Sequence, residues 1–216
     1  MTKLETYAPP EVAASQPLSP TEFLASLRAA LEPWDRTRPF WIFAYGSLMW
    51  NPQFHFDAHH VGTIRGYHRA FRVWSRVNRG TPEQPGLVLT LERGGSCRGI
   101  VYRIASDRAQ EEMARIWKRE MTFGSYCPKW IDCQVGDERF PCLAFTVNRQ
   151  CSGYTGDIAQ DVMVTALAHA KGRYGPAHEY LFKTVETLRA HGIRDRRVEQ
   201  LAAQVRARMA PGPGAA

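Results

Sequence analysis

The sequence separates extended segments from helical ones, and this order restricts the possible folds more than any other feature. Short apolar runs typical of strands lie between residues 40 and 147, whereas residues 157–209 have the spacing of amphipathic helices. Strands followed by helices favour an α+β fold. Because many short strands leave edges that must be protected, we expect a closed or strongly curved sheet.

Cap and turn residues predict where individual elements begin and end. Ser19-Pro20-Thr21-Glu22 combines an N-cap serine, a proline at the first helical position and a capping-box glutamate, and Pro33 ends that helix. A second helix is predicted over Ser106–Glu120, and Gly94-Gly95 predicts a turn between two strands. The predicted strands span residues 40–45, 67–75, 87–91, 99–104, 129–135 and 141–147, and the C-terminal helices span residues 157–171, 176–190 and 195–209.

Length and composition fit one domain. The chain has 216 residues, of which 44% are hydrophobic and 23% are charged. A domain of this size buries roughly 70% of its unfolded surface, so it needs no metal or disulfide for stability. We predict an N-terminal arm with a short helix over residues 1–38, a main domain over 39–209 and a disordered tail over 210–216.

The cysteines and the N-terminus predict a cytoplasmic protein. Five cysteines occur without any C-x-x-C spacing, which argues against a zinc or redox site. The N-terminus lacks the basic and apolar regions of a signal peptide. No segment approaches the ~18 apolar residues of a membrane-spanning helix. We therefore expect free thiols and no membrane partner.

The charge of the chain leaves more than one interpretation open. Lys and Arg number 28 against 21 Asp and Glu, which suits an anionic ligand or a nucleic-acid surface. A solvated Arg-rich surface is the simpler interpretation, and we expect no nucleic-acid partner. His55, His59 and His60 lack the spacing of a metal-binding helix, so we interpret them as a polar loop and expect no metal.

One candidate binding segment, Tyr45-Gly46-Ser47-Leu48-Met49-Trp50, follows an apolar strand. Gly46 permits a tight turn, and successive backbone N–H groups in such a turn can converge on an anion such as a carboxylate. Taken alone, a Gly-Ser turn after a strand is more typical of an ordinary loop.

Glu120 is the candidate acid/base. It ends a predicted helix, where the helix dipole disfavours a negative charge. Its apolar neighbours Trp117 and Met121 can place it in a partly dry pocket, which raises a carboxyl pKa toward the range of a general base. An isolated glutamate of this kind is more typical of a solvated surface. Tyr126 and Tyr180 are further candidates, although an aromatic residue on a helix more often belongs to the core.

Together these segments resemble the ChaC-like γ-glutamylcyclotransferases from about Trp41 to Glu199. The resemblance implies a small mixed β-barrel flanked by helices. It also implies that Glu120 is the catalytic acid/base. The substrate-binding residues that it implies are Tyr45, Gly46, Ser47, Leu48, Tyr126 and Tyr180. The similar stretches are Phe43 to Trp50, Arg65-Gly66-Tyr67, Arg69-Ala70-Phe71, Gly99 to Arg103, Arg119-Glu120-Met121 and Glu179-Tyr180-Leu181.

The resemblance further implies an activity that needs no cofactor. The α-amine of glutathione would attack its own γ-carbonyl, giving 5-oxoproline and cysteinylglycine. Two alternatives stay open: a cyclotransferase for other γ-glutamyl amides, and a non-catalytic γ-glutamyl-binding regulatory protein. The sequence leaves the oligomeric state open between a monomer and a weak dimer.

Overall fold

A closed five-stranded barrel forms the centre of the protein. The structure is a computed structural model that describes residues 17–210. Neighbouring strands follow the order β1-β3-β2-β4-β5, and the parallel pairing of β1 with β5, which sets Ile42 beside Leu143, closes the barrel. The mixed barrel predicted for the chain is therefore confirmed. The strands are β1 (Phe40–Ala44), β2 (Ala58–Ser75), β3 (Gly86–Ile104), β4 (Tyr126–Val135) and β5 (Glu138–Val147).

The predicted turn at Gly94-Gly95 is wrong. Both glycines lie inside β3, which pairs with β2 along nearly its whole length. The register shifts between Arg65 and Tyr67, and Gly66, Gly94 and Gly95 all have positive φ values. Glycines with positive φ serve β-bulges as well as hairpin turns, and here they bend a continuous ribbon.

The predicted polar loop for His59 and His60 is also wrong. Both residues belong to β2, which begins at Ala58 and is longer than predicted because its first half pairs with the end of β3. The His59 ring lies 6.0 Å from the Tyr102 ring and 5.8 Å from the His191 ring. Within residues 17–210, no group of three His, Cys, Asp or Glu side chains is placed to hold a metal ion.

Helices cover the outside of the barrel. The bounds predicted for α2 are confirmed, whereas α3 is shorter than predicted at both ends. The barrel interior is filled by side chains that are almost fully buried, among them Ile42, Leu89 and Phe145. The helices are α1 (Pro20–Leu31), α2 (Ser106–Glu120), α3 (Gln160–His169), α4 (Ala177–Ala190) and α5 (Arg196–Met209).

Helix α1 is packed against the barrel. Leu31 and Trp34 belong to the main core, and the Trp130 indole donates a hydrogen bond to the Ala30 carbonyl at 2.9 Å. Ser19 forms the predicted capping box with Glu22. Residues 1–16 and 211–216, which include the start of the predicted arm and most of the predicted tail, lie outside the described residues.

The five cysteines are free thiols, as predicted, and Cys97, Cys133 and Cys142 are buried. In the part of the chain that the structure describes, no helix has both the length and the apolar character needed to cross a bilayer.

Candidate active site

Four elements meet at one cavity of about 1340 Å³. The 3₁₀ helix Ser47–Met49 follows β1, and Glu120 ends α2. Tyr126 begins β4, whereas Tyr180 lies on α4. Ser47, Glu120, Tyr126 and Tyr180 line the cavity. The fold thus brings together side chains that are as far apart in the sequence as Ser47 and Tyr180.

Glu120 is held in a largely dry environment. Its side chain is 13% exposed, and its neighbours Trp117 and Met121 are almost fully buried. Burial raises the pKa of Glu120, although the adjacent Arg119 guanidinium opposes this shift. Of the two interpretations that the sequence left open, the structure therefore favours the partly dry carboxylate over the solvated surface charge.

Arg119 joins Glu120 to the turn after β1. Its Nε lies 3.0 Å from Oε1 of Glu120, and its Nη2 donates to Oγ of Ser47 at 2.8 Å. Its Nη1 donates to the Asn51 carbonyl. A single guanidinium therefore fixes the carboxylate relative to the turn. Arg119 lies in one of the stretches that resemble the family, but no local pattern in the sequence predicted its hydrogen bond with Ser47, which is 72 positions away.

The two cavity tyrosines are both hydrogen-bonded to the main chain of Leu89, Tyr180 to its N–H and Tyr126 to its carbonyl. The Leu89 N–H donates to the Tyr180 hydroxyl at 3.3 Å, and the Tyr126 hydroxyl donates to the Leu89 carbonyl at 3.4 Å. Burial raises the pKa of Tyr180 to about 12, and it raises the pKa of Tyr126 well above its ordinary value. Both hydroxyls therefore stay neutral at physiological pH and keep a proton for hydrogen bonding.

Gly46 makes room for Tyr180. A Cβ atom placed on Gly46 would lie 2.8 Å from the Tyr180 hydroxyl oxygen, which is closer than carbon and oxygen normally approach. Ser47 and Leu48 are the first residues of a helix, and the N–H groups at a helix start have no acceptor within the helix. Donors for an anionic group are therefore available beside Tyr180.

Tyr45 and Leu48 support the site from outside the cavity lining. The Tyr45 hydroxyl donates to the Phe145 carbonyl at 2.8 Å, and the Tyr45 carbonyl accepts from Nε of Arg69 at 2.5 Å. Leu48 is buried, and its carbonyl accepts from the Tyr102 hydroxyl at 3.2 Å. The carbonyls of both residues therefore help to fix the turn, and a contact of either residue with a substrate remains a prediction.

The cavity is strongly cationic. Among the described residues that line it, six side chains are basic and Glu120 carries the one carboxylate. A surface of this kind favours an anionic ligand. The basic side chains are Arg76, Arg79, Lys118, Arg119, Arg173 and Lys183.

Comparison with known proteins places these features in a family. The family described as "ChaC-like protein" matches residues 40–208. An Escherichia coli (strain K12) protein named glutathione-specific γ-glutamylcyclotransferase is 36% identical over 183 residues, covering 84% of this chain and 79% of the relative. A Mus musculus protein named glutathione-specific γ-glutamylcyclotransferase 1 is 30% identical, covering 83% of each chain.

The fold has a counterpart among solved structures. A crystal structure of a γ-glutamyl cyclotransferase specific to glutathione from yeast matches with a TM-score of 0.74 at 21% identity. It covers 79% of this chain and 96% of the yeast chain, so the likeness extends to nearly all of that protein. On the family match and the sequence identity together, this chain belongs to the ChaC-like family of γ-glutamylcyclotransferases.

Proposed function

We propose that this protein converts glutathione to 5-oxoproline and cysteinylglycine, with Glu120 as the general acid/base. The observation that carries the proposal is the environment of Glu120. A carboxylate with a raised pKa faces a cationic cavity, and Arg119 fixes it next to the turn at Ser47. The relatives named as glutathione-specific support glutathione as the substrate.

The reaction needs only proton transfers from the protein. The α-ammonium of the glutamyl group gives a proton to Glu120, and the free amine attacks the γ-carbonyl carbon. The new C–N bond closes a five-membered lactam, while the amide bond to cysteine breaks. Glu120 gives this proton to the departing nitrogen. The second proton, which the attacking nitrogen loses as the lactam forms, passes to the same departing nitrogen, so cysteinylglycine leaves as its ammonium, no water is consumed and the Glu120 carboxylate is regenerated.

The turn after β1 is proposed to hold the glutamyl group in a bent conformation. The free N–H groups of Ser47 and Leu48 suit the glutamyl α-carboxylate, and the neutral Tyr180 hydroxyl suits an amide oxygen. Tyr126 forms another part of the same wall. Positioning of this kind supplies about 7–11 kcal/mol in well-aligned intramolecular reactions.

The test is a product assay with purified protein. Glutathione, a γ-glutamyl amino acid and a γ-glutamyl amine are incubated separately, and 5-oxoproline is measured by mass spectrometry. We expect 5-oxoproline with glutathione as the preferred substrate. Preference for another γ-glutamyl amide would contradict glutathione specificity. Binding without any 5-oxoproline would contradict catalysis and favour the regulatory alternative.

A further inference from the structure

Arg79 is a buried cation that has no acidic partner in the part of the chain that the structure describes. It is 7% exposed, and its Nη1 donates to the carbonyls of Tyr174 at 2.6 Å and Pro176 at 3.3 Å. These contacts use one nitrogen of the guanidinium, and within residues 17–210 Arg79 has no ion pair. Glu179 is the carboxylate that attracts it from a greater distance. Buried charges in proteins are normally paired, so this arrangement points to a partner from outside the chain.

The backbone around Arg79 is packed too closely to move freely. A Cβ on Gly172 would lie 2.6 Å from the main-chain nitrogen of Arg79, and a Cβ on Gly86 would lie 2.2 Å from the main-chain carbonyl oxygen of Arg79. The loop after β2 is also hydrogen-bonded to the segment near residue 173, since the Arg173 N–H donates to the Val77 carbonyl at 2.8 Å. Arg79 is therefore presented from a rigid support.

The guanidinium lies near the rings of Tyr180 and Trp50. The Tyr180 hydroxyl lies beside Gly46, whereas its ring is 5.6 Å from the Arg79 guanidinium carbon. The same carbon is 5.9 Å from the Trp50 ring. Arg173 and Lys183 add two exposed cations to this wall of the cavity. The cavity thus holds Glu120 and the turn together with a group of cations that includes Arg79, and Tyr180 is near both Gly46 and Arg79.

We propose that Arg79 binds the carboxylate at the far end of the leaving dipeptide, and so selects γ-glutamyl peptides that end in a free carboxylate. This assignment depends on the proposed function. Two extended residues span at most about 7 Å, so the distal carboxylate of the dipeptide stays within about that distance of the reacting amide, inside the cavity that Arg79 lines. The planar guanidinium suits a carboxylate because it can donate two parallel hydrogen bonds. The glutamyl carboxylate remains with the turn.

The experiment compares glutathione with its glycine amide, which differs only in lacking the distal charge. The catalytic efficiency kcat/KM is measured for both substrates with the wild type, Arg79→Met and Arg79→Lys. A charged hydrogen bond of this kind predicts that the wild type favours glutathione by about 10- to 100-fold. Arg79→Met should bring the ratio close to one, because glutathione turnover falls while amide turnover does not.

Lys118→Met is the matched control, since it removes one exposed positive charge from the same cavity. Its substrate ratio should stay close to that of the wild type. If Arg79→Met does not fold, as judged by circular dichroism, Arg79→Lys is used, and its ratio should fall between those of the wild type and one.

Three results would overturn the assignment. Equal losses of kcat/KM for both substrates in the Arg79 variants would mean that Arg79 stabilises the fold or helps to bind the glutamyl group, rather than the distal carboxylate. An active wild type that does not distinguish the two substrates would exclude distal recognition. A wild type that forms no 5-oxoproline from either substrate would overturn the proposed function and this assignment with it.

Discussion

Burial of Glu120 disfavours the ionised form of its carboxyl group, yet the proposed chemistry needs that form. Glu120→Gln keeps the shape of the side chain but accepts no proton from the substrate ammonium. We expect kcat to fall by about 10²–10⁴-fold, the usual contribution of a general acid/base. Product formation by a variant with wild-type circular dichroism is the measurement. Retention of more than about a tenth of wild-type turnover, well short of the loss expected, would remove Glu120 from the mechanism.

The raised pKa of Glu120 also predicts how stability depends on pH. In the native state Glu120 keeps its proton at pH values where the unfolded chain has already released it. The wild type should therefore lose stability as pH rises from the ordinary glutamate pKa, about 4.3, through the raised value. Glu120→Gln lacks this loss, so we expect it to be at least as stable as the wild type at neutral pH.

Urea unfolding of both proteins across that pH range tests the stability prediction. The activity of the wild type should follow the opposite course, since lowering the pH through the raised pKa protonates the base. A glutamine variant that is clearly less stable at neutral pH would mean that the Arg119 contact outweighs burial.

At the scale of elements, the turn after β1 and helix α4 pack closely where the Tyr180 hydroxyl oxygen lies beside Gly46. Gly46→Ala places a Cβ 2.8 Å from the Tyr180 hydroxyl and forces either the turn or the ring to shift. Displacements near 1 Å can lower activity by about 10²-fold, and we expect a loss of that order in kcat/KM. Tyr180→Phe removes the colliding oxygen. The double variant should therefore be no less active than Tyr180→Phe alone.

The kinetics of the two single variants and the double variant form a cycle that measures this coupling. Losses that simply add would show that Gly46 and Tyr180 act separately. Circular dichroism of all three proteins serves as the control for folding.

The molecule as a whole depends on its first helix. Removing residues 1–34 would leave the Trp117 and Trp130 indoles without their acceptors on Ser26 and Ala30. It would also remove Leu31 and Trp34 from the core. Together these losses amount to roughly 5 kcal/mol or more. That predicts a melting temperature lower by roughly 10–20 °C.

Calorimetry of the truncated chain beside one that lacks only residues 1–16 would isolate the contribution of α1. A small and equal change in both would show that α1 is a separate attachment. The domain boundary predicted after residue 38 stays a prediction until such a measurement.

Local sequence signals predicted what depends on neighbours in the chain. The helix formers over residues 106–120 were enough to predict the bounds of α2. The apolar neighbours Trp117 and Met121 indicated that a partly dry Glu120 was possible, although an isolated glutamate there is more typical of a solvated surface. The family resemblance supplied the barrel. Contacts between distant segments were beyond such signals, because their geometry is set only when the barrel closes. The Tyr180 hydroxyl meets the amide of Leu89, which is 91 positions away.

Arg79 had no signal in the sequence for the same reason: its partners Tyr174 and Pro176 lie 95 and 97 positions away and contribute main-chain carbonyls. The Gly94-Gly95 error has a different origin, since a glycine pair carries the same backbone freedom in a bulge and in a turn. Only the pairing of β2 with β3 distinguishes the two.

Most side chains of the site form hydrogen bonds with main-chain atoms, and this affects how the sequence of such a site can diverge during evolution. Tyr126 and Tyr180 rest on the peptide groups at Leu89, Tyr45 on the carbonyl of Phe145, and Arg119 on that of Asn51. Every residue type carries the carbonyl, and every type except proline carries the N–H. An alanine scan would therefore record Asn51 as tolerant although its carbonyl orients the arginine beside Glu120. Substitutions at positions that contribute only a main-chain group can therefore lower sequence identity between relatives while the structure of the pocket is kept.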